Sequence, residues 1–469
     1  MQIKRKWNTI VITILMMFTI IGAAHANRTT DNPASPEQAG VVTLSGHLVQ
    51  EKIYLQGDGV FELNLELNAA QTPFDPHPME KNVDIVLVLD RSGSMQGLKI
   101  QYAKKAVMNL ISLLSPGDRL SLVSYSDNVQ RHCHLVFLTH RNQRMLREMV
   151  HSIYAGGSTN LGGGLKTGID TILQEPQGNR IRKVILISDG LANRGIVNPW
   201  DLGRMASIAL ENDFAVATVG VGDSFNEQLM AHIADQGAGT YHYMENPDAF
   251  AMVFEQEFLK SRHVAATSLE VHIPKVQGIR LLSAGGFPIK EFTDHYAVYP
   301  GNLLSGQARK LFLRFQASTV TGESHTLKGI WISYVSQGTF YREPLKKPFT
   351  VVWAQDQSEV FSSIHKQAWE EKVLQEDYNR LREEVAADVK AGKEEAAIQK
   401  IETYVQEKKA LNDSVQSKEV DKNLEEDVEG LKTMVRDTFK GSPAVVNQKQ
   451  KSNAKSLQYE GYKERRSKD

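Results

Sequence analysis

One cysteine, Cys133, stands among 469 residues. A single thiol closes no internal disulfide, so buried apolar cores must hold the fold. The length allows several, since about 100–200 residues make a typical domain. An excess of charge of either sign is also missing: 54 Lys and Arg face 55 Asp and Glu, a formal net charge of −1. That balance argues against general binding to nucleic acid or to an anionic membrane. No cysteine follows the apolar run near the amino terminus, which excludes a lipoprotein anchor there. Cys133 itself lies between His132 and His134. In an extended stretch both imidazoles share one face and the thiol takes the other. A structural role is therefore favoured over a metal site.

The chain opens with a targeting pattern. Lys4, Arg5 and Lys6 precede an almost wholly apolar run from Ile10 to Ile21, and Ala24-His25-Ala26 supplies small residues for cleavage. Residues 1–26 are expected to be a signal peptide, giving a secreted or cell-surface protein that begins at Asn27. The alternative is an uncleaved anchor, for which the run is near the lower end of the roughly 17–25 residues that span a bilayer. Residues 27–40 are polar, contain Pro33 and Pro36, and read as a flexible leader.

The most informative stretch is Val83–Met95, VDIVLVLDRSGSM. A short apolar run bounded by polar residues predicts a strand buried on both faces. Asp90, Ser92 and Ser94 then fall at its carboxyl end, where open α/β sheets bind ligands. One carboxylate and two neutral hydroxyls suit a hard cation such as Mg²⁺, which takes oxygen ligands and retains waters. Few anionic ligands leave such an ion electrophilic.

Two later stretches join this one. Gly156–Gly164, GGSTNLGGG, offers Thr159 from a glycine-rich loop, and Val184–Gly190, VILISDG, is a second buried strand ending in Asp189. In this order the three resemble the metal-ion-dependent adhesion site of the von Willebrand factor type A family, over about Asn82 to Ser261. No matching position departs from the pattern. The resemblance implies that Ser92, Ser94 and Thr159 supply hydroxyl oxygens to the metal and that Asp90 and Asp189 act largely through bound water. It implies Mg²⁺, with Mn²⁺ or Ca²⁺ as alternatives. Asp127, Asp223, Asn193 and Arg194 lie close by in sequence, each weighed between lining the site and an ordinary loop role. Tyr241 and Tyr243 read as strand packing.

The surroundings set the fold class. Strands and helices alternate from Val83 to Leu259, with helices expected at Ile100–Leu114, Leu146–Ile153, Leu165–Leu173, Trp200–Leu210, Asn226–Ala234 and Pro247–Leu259. Such alternation predicts an α/β domain with a doubly wound, mostly parallel sheet. Phe61, Leu63, Leu65 and Leu67 alternate with polar residues, as a half-buried strand does. After Arg262 further β-type runs follow to about Gln355 and predict an all-β sandwich over 264–355. The early strands of 41–72 need a partner, and we expect them to complete that sandwich, making the α/β domain (82–261) an insertion within it. Similar layouts surround this domain in inter-alpha-trypsin-inhibitor heavy chains and in bacterial surface proteins. Residues 358–440 show apolar residues at helical spacing. They read as a helical hairpin or bundle packed on itself, or as a coiled coil for self-association or partner binding. Residues 441–469 carry seven basic side chains, from Lys449 to Lys468. A disordered basic tail, offering contact with the cell envelope, is expected there.

Together these features predict a non-enzymatic, exported protein. It would bind a protein ligand through the metal, with an exposed Glu or Asp of that ligand completing the shell. The competing readings are a structural or assembly protein with a stabilising metal site and a metal-dependent hydrolase. The motif loops hold no histidine to serve as a base.

Overall fold

The computed structural model describes residues 40–71, 82–175, 180–222, 225–244, 264–318 and 324–466. The expected signal peptide, nearly all of the leader, the helix Pro247–Leu259 and Asp223 lie outside them.

Val83–Asp90 is the central strand of the α/β sheet, and every one of its residues is buried. The order is Ala238–Met244, Ala215–Val221, Ile181–Ser188, Val83–Asp90, Arg119–Tyr125, Val129–Arg131. The first five strands are parallel and Val129–Arg131 turns back antiparallel. Alternate side chains of the central strand feed two separate cores. Ile85, Leu87 and Leu89 pack under the helices Leu98–Leu113 and His140–His151, while Val86 and Val88 pack under Leu161–Leu173. Helices on both faces explain why this strand reads as a continuous apolar run.

The sandwich draws on strands from both sides of the α/β domain in sequence. Val60–Ala69 pairs antiparallel with Ala308–Ala317, setting Phe61 opposite Phe315, Leu63 opposite Leu313 and Leu65 opposite Leu311. Val42–Leu48 extends this sheet on one side and Ile279–Ala284 on the other. Lys52–Tyr54 adds in parallel to Phe349–Ala354. A facing sheet is built around Val264–Pro274 and Trp331–Ser336, and the sheets share one apolar core. Because the early strands sit in the middle of that core, a fragment 82–261 should fold alone and 264–355 without residues 41–71 should not. Far-UV circular dichroism and amide dispersion check both, and a well-folded 264–355 would refute the insertion.

The carboxyl-terminal region is helical. Leu381, Val385, Val389, Ile401, Leu431 and Val435 face one another in a core of their own. The expected disordered tail is corrected: Pro443–Arg466 is a helix of 24 residues that places Ala454, Leu457 and Tyr462 in buried positions. Two of its charges are buried on partners, Lys455 on the Gly222 carbonyl and Arg466 on Asp235. Among the described residues no helix is long and apolar enough to cross a membrane.

Candidate metal centre

Asp90 ends the central strand with its carboxylate wholly buried. One oxygen accepts the Ser92 amide at 2.8 Å. The other accepts the Ser188 hydroxyl at 2.6 Å and the Tyr125 hydroxyl at 3.2 Å. Tyr125 and Ser188 close the two flanking strands, so both neighbours clamp the carboxylate. Burial raises the Asp90 carboxyl above the usual aspartate range; the Ser188 and Ser92 bonds oppose this and the nearby Asp189 charge adds to it. Burial likewise lifts the Tyr125 hydroxyl well above its ordinary value, so it stays a donor.

The turn after Asp90 brings the Ser92 and Ser94 hydroxyl oxygens to 3.0 Å of each other. Ser92 is buried and Ser94 opens to solvent. This turn is stitched to the glycine loop by two backbone bonds. Gly93 donates to the Gly157 carbonyl and Gly156 donates to the Arg91 carbonyl, each at 2.8 Å. Gly157 has φ +84°, and a Cβ there would lie 2.0 Å from Asp127 Oδ2, so only glycine fits.

Thr159, two residues on, is buried. Its amide donates to Asn193 Oδ1 at 2.8 Å, and its carbonyl accepts the Asn193 and Arg194 amides. Asn193 thus fixes the loop after Asp189 against the Thr159 loop. Asp127 takes the Ser158 hydroxyl and the Arg194 guanidinium, bonds that hold its carboxyl below the usual range. It is a brace for the loop rather than a free solvated aspartate.

Asp189 follows Ser188 and is also buried. Its Oδ2 accepts Lys99 Nζ at 3.0 Å, whereas Oδ1 is buried and has no hydrogen-bond partner among the described residues. Lys99 comes from the first turn of Leu98–Leu113. Lys99, Tyr125 and Ser188 were missed by the motif, because each acts on an aspartate from a strand end or helix start with no fixed spacing. The His132–Cys133–His134 trio stands apart: His132 bonds Ser124 at 2.8 Å and Cys133 packs against the core, where burial raises its thiol.

The donor set suits a hard cation. It brings together the Ser92 and Ser94 hydroxyls and a buried carboxylate oxygen on Asp189 that has no hydrogen-bond partner among the described residues, with Thr159 buried in the loop stitched to this turn, while the Lys99 ammonium stands on the other Asp189 oxygen as a tethered cation. Among the described residues no group of three or more His, Cys, Asp or Glu that could hold a metal ion assembles, so a cation at this turn would rest on hydroxyl oxygens with Asp90 and Asp189.

A doubly wound α/β domain with this turn at its carboxyl edge, set in a β-sandwich, defines a von Willebrand factor type A-like fold. The chain contains a von Willebrand factor type A domain: residues 84–256 match that family model. An uncharacterized protein of Synechocystis is 26% identical over 272 residues, 55% of this chain and 63% of that protein. Inter-alpha-trypsin inhibitor heavy chain H1 of Sus scrofa is 33% identical over 157 residues, 32% of this chain and 17% of the heavy chain. The chain thus spans less than two thirds of either relative. Among solved structures, von Willebrand factor type A from Catenulispora acidiphila superposes with a TM-score of 0.65 at 17% identity, over 91% of this chain and 98% of that one. The ArnB paralog VWA2 from Sulfolobus acidocaldarius gives 0.53 at 16% identity, over 89% and 98%. At such identities these two establish the fold alone.

Proposed function

We propose that this chain is an exported binding protein that captures a protein partner through a divalent cation held at the Asp90 turn. A carboxylate from an exposed Glu or Asp of the partner would complete the shell. The observation that carries this reading is the Asp189 oxygen that is buried and, among the described residues, unpartnered, next to the stitched Ser92–Ser94 and glycine loops. Mg²⁺, or alternatively Mn²⁺ or Ca²⁺, would supply an electrophilic position there for the incoming carboxylate. Ser92, Ser94 and Thr159 offer hydroxyl oxygens, and Asp90 and Asp189 orient bound water. Export rests on the Lys4–Lys6 and Ile10–Ile21 pattern. The helical region is assigned no self-association, because its apolar stripes are buried against one another. Nor do we assign hydrolysis: a base near the ion is required, and the motif loops carry no histidine to serve as one. The test is capture from the native secretome and cell surface by the full chain, with and without chelator. Capture that survives chelation would defeat the proposal.

One observation favours a second reading, a purely stabilising cation site. Lys99 already neutralises Asp189. Lys99→Met should then tighten apparent Mg²⁺ affinity, because the ion no longer competes with an ammonium. A partly exposed pair is worth up to roughly 1 kcal/mol, a factor of about five. Thermal-shift titration measures this, since a ligand of the folded state raises the melting temperature with or without a partner. Unchanged affinity would remove Lys99 from the site.

A further inference from the structure

Where the helical region meets the sandwich there is a cleft of about 630 Å³. Its walls are the helices Tyr378–Lys390 and Glu394–Val415 and the strand Ala308–Ala317. Its residues are separate from those of the Asp90 turn and the glycine loop. Small-molecule sites occupy about 300–1,000 Å³, and the cleft falls within that span. Its lining sorts the two signs of charge by depth.

The buried end is cationic. Asp377 is buried there and holds three cations. Its Oδ2 accepts Lys372 at 2.7 Å and also Lys408, and its Oδ1 accepts Arg380 at 2.8 Å. Lys372 has a second carboxylate in Glu62 at 2.9 Å, while Lys408 has Asp377 alone among the described residues. Burial, opposed by Asp377 and aided by the Lys408 charge, brings the Lys372 ammonium down to about 8. Arg314, on the strand wall, meets the Glu62 carboxylate only at 3.9 Å, and its guanidinium makes no hydrogen bond among the described residues. Tyr404 lines the cleft beside Lys408, whose ammonium lies 5.5 Å from the ring centre. Tyr404 is only 8% exposed, and its hydroxyl is buried with no hydrogen-bond partner among the described residues. Folded proteins pair most such groups. Burial lifts this hydroxyl well above its ordinary value, so it stays a donor.

The outer end is acidic. Glu384 and Glu407 are exposed, one from each helix, and their side chains carry no hydrogen bond or ion pair among the described residues. A plain anion entering the cleft passes these two carboxylates, and a plain cation meets the ammonium and guanidinium groups beyond them. A molecule with one acidic and one basic end matches both. We propose that the cleft binds a small zwitterion of the amino-acid class, a free amino acid or a short peptide. Its carboxylate takes the Tyr404 hydroxyl, the Lys408 ammonium and the Arg314 fork, whose planar donors suit a carboxylate. Its ammonium takes Glu384 and Glu407. No metal takes part, so this site stands apart from the reading of the Asp90 turn.

The test is calorimetric titration and thermal melting of the full chain in EDTA. The probes are alanine, tri-alanine, tri-alanine amide, N-acetyl-tri-alanine and inorganic phosphate. Alanine or tri-alanine should bind saturably and raise the melting temperature. Each blocked peptide, lacking one charged end, should bind about tenfold more weakly than tri-alanine. Tyr404→Phe removes a hydroxyl that the described residues leave unpaired, so its melting temperature without probe should hold or rise while affinity falls about fivefold. A Glu384→Gln/Glu407→Gln double variant changes only exposed groups. It should lose about tenfold in affinity for tri-alanine and nothing for the N-acetyl form, a split that a merely structural role would not produce. Equal affinity of the blocked peptides, tighter binding of phosphate than of either zwitterion, or no saturable binding by alanine and tri-alanine would overturn the proposal.

Discussion

Asp90→Asn is expected to abolish divalent-dependent partner capture while the metal-free protein folds at least as well as the parent. The amide has the shape of the carboxylate. Its oxygen can still accept the Ser92 amide, and the Ser188 and Tyr125 hydroxyls can rotate to accept from its nitrogen. Burial and the neighbouring Asp189 disfavour the ionised Asp90 in the absence of a cation, so removing the charge relieves the metal-free state. The same change removes the charge that would hold an ion. Wild type at a free Mg²⁺ concentration of about 100 Kd should gain about 2.7 kcal/mol of stability by linkage. Asp90→Asn should gain none. Thermal melts with and without Mg²⁺ separate the two effects, because a folding defect lowers both curves and a lost site merges them. Retention of the Mg²⁺ increment in Asp90→Asn would show that the ion binds elsewhere.

What was legible in the sequence follows from how locally each feature is specified. Asp90, Ser92 and Ser94 sit within five residues, and the buried strand before them is a continuous apolar run, so their position at its carboxyl end could be read. Thr159 and Asp189 were legible through their own glycine-rich and strand-end settings. The alternation Phe61, Leu63, Leu65, Leu67 marked a strand in search of a partner, and its partner proves to lie some 250 residues further on, at Phe315 to Leu311. By contrast, Lys99 meets Asp189 across the fold, and nothing in its own surroundings signals that contact. For Asn193 and Asp127 the sequence left lining the site and an ordinary loop role both open, because what distinguishes them is a backbone amide and a serine hydroxyl supplied by another loop. The terminal helix was misread for a related reason. Its sequence is polar and basic, with few apolar residues, which by composition predicts disorder. Its order comes from specific acceptors on other parts of the chain, and the distance along the sequence hides them.

Arg466→Met is expected to cost about 3–5 kcal/mol and to release the terminal helix, because removing one partner of a buried ion pair leaves the other uncompensated. The Arg466 side chain is almost fully buried and grips both oxygens of Asp235, with Nε at 3.1 Å from Oδ1. Its Nη1 donates to the Gly285 carbonyl at 2.7 Å, and Tyr462 donates to Asp235 at 3.0 Å. Asp235 belongs to the α/β domain and Gly285 to the sandwich, so one guanidinium joins three regions of the chain. Arg466→Lys should not rescue, since an ammonium lacks the planar fork that reaches these acceptors together. Asp235→Asn combined with Arg466→Met should cost less than the sum of the two single changes, as expected for contacting groups. Urea unfolding measures the loss, and limited proteolysis should show new cleavage within residues 443–466. The effect should also reach the metal centre. The helix containing Asp235 starts after Asn226, whose amide bonds the Asp189 carbonyl at 3.2 Å. A loosened helix should therefore weaken Mg²⁺ stabilisation of Arg466→Met relative to wild type. A variant that unfolds within 1 kcal/mol of the parent, with its terminal helix still protected, would show that the apolar contacts of Ala454, Leu457 and Tyr462 hold the helix without the guanidinium.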